Sequence, residues 1–264
     1  MTNAHSVLIV GPSSVPYSES GEDGRLANLL LGELRQLQPR IDWTTAGVQI
    51  FQGTEMRERV ADAVAQHGPD LVILRAASYH LTHEYVLWKV RDRWPALYPA
   101  AKFIDARLKQ LAGGPRDRAN TPRPWVYAVP RWLAAKTIGT SISRSPEECA
   151  RNITDTLDYL LAREELFLYL WPSTSATFPK KRDNPQHERN VELLWRDVLD
   201  YANRRHIPRF NSADIRAAMD IEKSKSVDGI HASLEYRTYQ ARYLATKILE
   251  ALELRPAEFS PARV

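Results

Sequence analysis

Short apolar runs that alternate with helix patterns constrain the fold of this chain most strongly. Residues 7–10 are all apolar and end at Gly11-Pro12, and residues 71–74 form a similar run. A run that is apolar at every position is typical of a parallel strand buried on both faces. Between these runs lie a predicted helix at 26–37, a strand at 43–48 and a helix at 55–67. This alternation predicts a doubly wound parallel α/β sheet.

The pattern is interrupted between about residues 85 and 143. We interpret this aromatic-rich stretch as an insertion, either a lid over a pocket or a packing arm. Four of the seven tryptophans lie in it, either in a core or along a pocket: Trp88, Trp94, Trp125 and Trp132. Ser145-Pro146 then predicts a helix start, because serine is a common cap and proline suits the first turn. Further predicted elements are a helix to about 163, a strand at 166–170, a helix at 188–204, a strand at 207–210 and a helix at 234–254.

Composition sets the class of protein. The chain has 264 residues, of which 44% are hydrophobic and 26% charged, as in a soluble globular protein. Its net charge of +4 comes from scattered residues, which indicates a solvated surface and no nucleic-acid partner. One cysteine, Cys149, excludes an intramolecular disulfide. No leader pattern and no apolar stretch of membrane-spanning length occur, so we expect a cytoplasmic protein without a membrane partner. The sequence does not define an oligomeric state.

Residues suited to nucleophilic catalysis occur at both ends of the chain. Asp228 precedes His231 by three residues, just before the last predicted helix. A carboxylate in that place can orient an imidazole, whose other nitrogen then faces a nucleophile. In open α/β sheets ligands bind at the carboxyl ends of the strands, and Ser13 directly follows the first strand. Ser13 and Ser14 equally suit a turn or a helix cap.

The order of these motifs resembles that of the SGNH (GDSL-type) hydrolase family. Gly11-Pro12-Ser13 corresponds to the first conserved block, and the segment 46–53 to the second, with Gly53 or Gly47 as its glycine. Residues 69–74 resemble the approach to the third block, and residues 228–231 match the Asp-x-x-His of the last block. The resemblance implies a flavodoxin-like three-layer α/β/α sandwich, with one domain over residues 1–264.

The resemblance also implies a site. Ser13 would be the nucleophile, His231 the general base and Asp228 its orienting carboxylate. The backbone N–H groups of Ser13 and of the second-block glycine would stabilise the oxyanion. The implied activity is hydrolysis of an O-acyl or O-acetyl ester of a small molecule or sugar, without a metal or organic cofactor. The alternatives are an acyltransferase that uses the same triad and a non-catalytic protein that binds a ligand or partner.

Two positions depart from the family pattern. Pro12 replaces an acidic residue and removes a backbone donor, and Ser78 stands where the family has its oxyanion asparagine. A serine hydroxyl can donate one hydrogen bond, with a shorter reach than an amide. Loss of one good donor slows acyl transfer by about 100- to 1000-fold. The oxyanion end of the predicted site is therefore weaker than its acid–base end.

Other polar residues leave the third predicted strand. Arg75 suits the carboxylate or phosphate of a substrate, or equally an ordinary ion pair. His80 and His83 follow it, either in the pocket or as polar loop residues. Since no third ligand is spaced to join these histidines, we predict no zinc site.

Overall fold

Strands and helices alternate along the chain as the apolar runs predicted. The computed structural model describes residues 4–12, 15, 21–50, 55–77, 81, 84–111, 125–173, 187–211 and 233–254. Its first elements are β1 (Ala4–Gly11), α1 (Leu26–Leu37), β2 (Asp42–Gln49), α2 (Met56–His67) and β3 (Leu71–Ala77). They are followed by β4 (Glu84–Tyr85), α3 (Val86–Arg93), a 3₁₀ turn (Pro95–Leu97), α4 (Tyr98–Leu111), α5 (Trp125–Thr137) and β5 (Ser141–Ile142). The last elements are α6 (Pro146–Leu161), β6 (Phe167–Ser173), α7 (His187–Arg204) and α8 (Leu234–Leu254).

The main sheet has four strands in the order β2-β1-β3-β6, and every neighbouring pair is parallel. The predicted strand at 207–210 is represented by a single parallel bridge between Leu170 and Arg209. Backbone hydrogen bonds hold it there, because Leu170 N–H donates to the Pro208 carbonyl and Phe210 N–H donates to the Leu170 carbonyl, each at 3.0 Å. This segment therefore extends the sheet beside β6.

Helices cover both faces of the sheet and make three layers. α1 and α8 pack together on one face, and α7 packs against α6, which also contacts α2, on the other. The buried side chains of the strands alternate between two cores. Val7, Ile9 and Ile73 lie in the core of α1 and α8, while Leu8 and Leu74 lie in the opposite core. The predicted α/β/α sandwich is thus confirmed, and both sides of each central strand are buried.

Local signals in the sequence account for the ends of several helices. The Ser145 hydroxyl accepts the N–H of Glu148 at 3.1 Å, and Pro146 occupies the first turn of α6, as predicted. α2 ends at Gly68, whose φ of 51° is in the left-handed region that glycine adopts readily. Two residues later, the Asp70 carboxylate accepts the backbone N–H of Ser6 at 2.7 Å and so joins β3 to β1. The aspartate of the Pro69-Asp70 motif therefore helps to hold the amino edge of the sheet.

Residues 84–111 and 125–142 form a helical arm. Its two ends pair as the antiparallel ladder of β4 and β5, with Glu84 opposite Ile142 and Tyr85 opposite Ser141. Between them α3, α4 and α5 contact one another. Seven large apolar side chains among the described residues of the arm are exposed: Trp94, Leu97, Phe103, Ile104, Val129, Trp132 and Leu133. The role of the arm as a lid stays a prediction. None of the described helices is both long and apolar enough to cross a membrane.

Candidate active site

The start of α8 lies near the carboxyl edge of the sheet, where one hydrogen bond and one electrostatic interaction relate it to neighbouring elements. Arg237, in the first turn of the helix, is buried, and its Nη1 donates to the carbonyl of Gly24, just before α1, at 2.9 Å. Tyr236 acts electrostatically on Arg75, near the end of β3. At its other end α8 reaches the amino edge, where Leu252 and His5 line one small cavity. The carboxyl edge is where open α/β sheets bind ligands.

The chain turns immediately after β1. Val15 N–H donates to the Pro12 carbonyl at 2.9 Å, a hydrogen bond that closes a turn of four residues. Ile50 N–H donates to the Gly11 carbonyl at 2.7 Å, so β2 stays paired with β1 up to this turn. Val15 is fully buried and anchors the far side of the turn. Ser13 and Ser14 are the two residues between the ends of this hydrogen bond, and they lie outside the described residues.

Gly11 is required by a close approach of two strands. A Cβ atom at this position would lie 2.8 Å from Arg75 Cβ and 3.0 Å from the Arg75 carbonyl oxygen. Both atoms are held by the backbone of β3, so neither can move aside easily. In the sequence, Gly11 marks the end of the first apolar run. The structure adds a packing reason, since only a residue without a side chain lets β3 carry Arg75 here.

The two candidates for the second-block glycine differ in position. Gly47 lies inside β2, opposite Ile9 on β1. A Cβ there would lie 3.1 Å from Val15 Cγ1 and 3.3 Å from Ala27 Cβ, so Gly47 makes room for the turn and for α1. Gly53, which follows the end of β2, lies outside the described residues. The choice between the two glycines as a donor stays a prediction.

Arg75 is a cation in an apolar setting. It lies opposite Trp171 of β6, and its Cζ lies 4.4 Å from the centre of the indole ring. The side chain is partly buried, and its Nε is a buried atom without a hydrogen-bond partner among the described residues. Burial lowers the pKa of Arg75 to about 10, against a smaller opposite effect of Tyr236. Arg75 therefore stays charged at neutral pH. The sequence also allowed an ordinary ion pair for Arg75. None of the ion pairs among the described residues includes Arg75.

Trp171 is a residue of this edge that the sequence analysis missed. The predicted strand ended at residue 170, and Trp171 was assigned to the loop after it. In the structure β6 continues to Ser173, and Trp171 is 1% exposed. The available signal was the apolar and aromatic run from residue 166, which continues through this tryptophan. Pro172 indicated that the strand ends before it, because proline is rare inside a strand.

The remaining predicted site residues lie outside the described residues: Ser78, His80, His83, Asp228 and His231. Their neighbours in sequence are described. Ser78 follows Ala77, the last residue of β3. His231 comes two residues before Ser233, whose hydroxyl accepts the N–H of Tyr236 at 3.1 Å and caps α8. Within the described ranges, no three His, Cys, Asp or Glu side chains are grouped so that they could hold a metal ion.

Comparisons with known proteins agree with this architecture. No protein-family model and no curated protein matches the chain. Solved structures do match it. Est24, a carbohydrate acetylesterase from Sinorhizobium meliloti, is 14% identical with a TM-score of 0.51, over 94% of this chain and 99% of that one. The native aryl esterase of M. smegmatis is 15% identical with a TM-score of 0.54, over 93% and 99%.

A third similar structure is a GDSL-like lipase from Bacteroides thetaiotaomicron VPI-5482. It is 14% identical with a TM-score of 0.51, over 94% of this chain and 89% of that one. The chain therefore has the α/β/α fold of the SGNH (GDSL-type) hydrolases, and the resemblance found in its motifs is confirmed at the level of the fold. Since a shared fold does not fix an activity, the function has to be argued from the site.

Proposed function

We propose that the protein is a serine-dependent esterase that removes an O-acyl or O-acetyl group from a small molecule or sugar. The observation that carries the proposal is that two described segments both lie beside Arg75 at the carboxyl edge, one next to Gly11 and one next to Tyr236. One is the turn from Pro12 to Val15, between whose ends Ser13 stands in the sequence. The other is the capped start of α8, which follows Asp228 and His231. The similar solved structures, an acetylesterase, an aryl esterase and a GDSL-like lipase, support the same class.

The proposed mechanism has two acyl-transfer steps. His231 Nε2 takes the proton of Ser13 Oγ as this oxygen attacks the ester carbonyl, while Asp228 holds the imidazole in the required tautomer. The resulting imidazolium gives the proton to the leaving alcohol oxygen, and an acyl group remains on Ser13. Water then attacks this acyl-enzyme, its proton passing through His231 back to Ser13 as the carboxylic acid leaves. No proton is lost or gained by the enzyme over the cycle.

The proposed oxyanion site uses fewer strong donors than the family pattern. The N–H groups of Ser13 and Gly53 would stabilise the negative oxygen, with the hydroxyl of Ser78 as a third and weaker donor. Pro12 has no N–H to contribute. We therefore expect measurable but slow turnover of simple activated esters. Hydrolysis dominates in this proposal, and transfer would require an acceptor that replaces water.

Labelling with a fluorophosphonate probe tests the nucleophile. We expect the wild-type protein to be labelled, Ser13→Ala to lose the label, and the matched control Ser14→Ala to keep it. His231→Ala should slow labelling strongly without loss of folding, checked by circular dichroism. Absence of labelling in a folded wild-type protein would refute the esterase and favour the non-catalytic binding protein. Loss of the label in Ser14→Ala alone would move the nucleophile by one residue.

Turnover of 4-nitrophenyl acetate, with and without an added alcohol, then separates hydrolysis from transfer. Hydrolysis predicts one nitrophenolate and one acetate released per turnover, with little acetylated alcohol. If the alcohol accepted most of the acetyl groups, the acyltransferase alternative would replace the proposal.

A further inference from the structure

Arg75 is a charged group that the proposed mechanism does not use. A guanidinium that leaves water normally gains carboxylate or carbonyl partners, because an unpaired buried charge is costly. Arg75 has a ring as its described partner: Trp171, at 4.4 Å from Cζ to the ring centre. Its buried Nε lacks a hydrogen-bond acceptor among the described residues. Since the side chain as a whole is only partly buried, its guanidinium can take an acceptor that the described residues do not supply.

The surroundings of Arg75 place this donor beside Gly11, at the end of the strand that leads to the proposed nucleophile. The Arg75 Cβ packs directly against the position of Gly11, two residues before Ser13 in the sequence. Tyr236 of α8 acts on the same side chain. Trp171 is buried and lies on the adjacent strand, so the guanidinium rests on a rigid surface. A group bound by Arg75 would thus lie at the carboxyl edge where the ester is expected.

The chemistry of a single guanidinium selects one kind of anion. Its planar array of N–H groups matches the two oxygens of a carboxylate, and it carries one positive charge. A phosphate monoester carries a charge of about −1.5 to −2 at neutral pH, so more than one cationic side chain is needed to neutralise it. Two other described arginines near this edge are already engaged, Arg237 with the carbonyl of Gly24 and Arg25 with Glu22. The charge and shape at Arg75 therefore fit a carboxylate better than a phosphate.

We propose that Arg75 binds a carboxylate carried by the substrate, so that the preferred substrates are esters with one free carboxylate. This inference rests on the proposed esterase function and names its substrate class. Arg75 acts here as a specificity residue: it holds the acidic group of the substrate and thereby places the ester carbonyl relative to Ser13.

Matched esters test the selectivity. Mono-4-nitrophenyl glutarate carries a carboxylate at the end of its acyl chain, and 4-nitrophenyl valerate is a neutral analogue with an acyl chain of the same length. We expect Arg75→Met to lower the ratio of kcat/KM for the acidic over the neutral ester by about 10- to 100-fold, the range for a hydrogen bond to a charged group. Arg75→Lys keeps the positive charge but loses the planar array of N–H groups, so its ratio should lie between those of the wild type and Arg75→Met.

Arg242→Met is the matched control. Arg242 is an exposed arginine of α8, 3.3 Å from Glu33, so its substitution removes one positive charge away from the site. This variant should keep the wild-type ratio. An unchanged ratio in Arg75→Met, or an equal fall in Arg242→Met, would overturn the proposal, since either result assigns selectivity to something other than Arg75.

Direct binding separates this inference from the esterase itself. Monomethyl glutarate, dimethyl glutarate and inorganic phosphate are titrated calorimetrically into the Ser13→Ala protein, which cannot form an acyl-enzyme. We expect heat of binding for monomethyl glutarate, at least 10-fold weaker binding of the dimethyl ester, and loss of this difference in Ser13→Ala/Arg75→Met. Binding here with no turnover by the wild type would refute the esterase and leave the carboxylate site standing. Stronger binding of phosphate, or no preference for the acid, would refute the carboxylate site.

Discussion

Replacement of Arg75 by methionine should make the folded protein more stable. Burial lowers the pKa of Arg75 to about 10, well below that of an arginine in an unfolded chain. A depression of this size means that the charged side chain costs the fold on the order of 3 kcal/mol. Methionine keeps an unbranched apolar chain against Trp171 and removes the charge. It also loses the cation–π contact, which is worth about 0.5–2 kcal/mol.

The net gain expected for Arg75→Met is therefore about 1–3 kcal/mol at pH 7, or about 2–4 °C in Tm per kcal/mol for a chain of this size. Urea and thermal unfolding in a buffer without carboxylates measure it, with Arg242→Met as the control. Below pH 10, Arg75 is protonated in both the folded and the unfolded wild type. The full cost of the buried charge is then present, and the difference in unfolding free energy between Arg75→Met and the wild type is constant. Above pH 10 the folded wild type releases the proton first, and the difference should shrink. A lower stability of Arg75→Met at pH 7 would refute the reasoning, because it would mean that the guanidinium stabilises the fold.

Three further predictions concern other buried or capped positions. Ser145→Ala removes the hydroxyl that accepts the Glu148 N–H, and urea unfolding should show a loss of about 1 kcal/mol. Burial, and then Glu148, raises the pKa of the Cys149 thiol to about 12, so native protein at pH 8 should resist a thiol reagent that labels it in urea; fast native labelling would contradict this. Gly11→Ala brings a Cβ within 2.8 Å of Arg75 Cβ and should lower the free energy of unfolding by about 1–3 kcal/mol, whereas an unchanged Tm would refute the close packing.

The framework of the fold could be predicted because its signals are local. An all-apolar run such as residues 71–74 can be buried only between two layers, and α8 has the bounds that its periodicity indicated. The sequence missed the last three residues of β6, where Pro172 resembles a strand end. Pairing with β3 overrides that preference, since Arg75, Ala76 and Ala77 lie opposite these three residues. Strand ends depend on the partner strand, which a single segment of sequence does not contain.

The chemistry of the candidate site stays a prediction, whereas the surroundings of Arg75 could not be predicted from the sequence. The order of Ser13, Asp228 and His231 in the motifs is a property of the sequence, and it resembles the order in the SGNH hydrolases. The setting of Arg75 is a property of the sheet. The strand register decides whether the guanidinium of Arg75 contacts a carboxylate or an aromatic ring, and this register sets Trp171 opposite it. The sequence accordingly left an ion pair and a substrate contact equally open, and the register favours the substrate contact.

In the proposed mechanism, the weak oxyanion donors and the guanidinium of Arg75 would have complementary roles. If Arg75 holds the carboxylate of an acidic ester, binding energy from that remote group can position the carbonyl and offset a poor donor at Ser78. A neutral ester lacks this anchor and depends on the donors alone. Ser78→Asn, which restores the family's amide donor, should therefore raise kcat for 4-nitrophenyl valerate more than for mono-4-nitrophenyl glutarate. An increase confined to the acidic ester would contradict these roles, because it would show that the anchored substrate is the one limited by the missing donor.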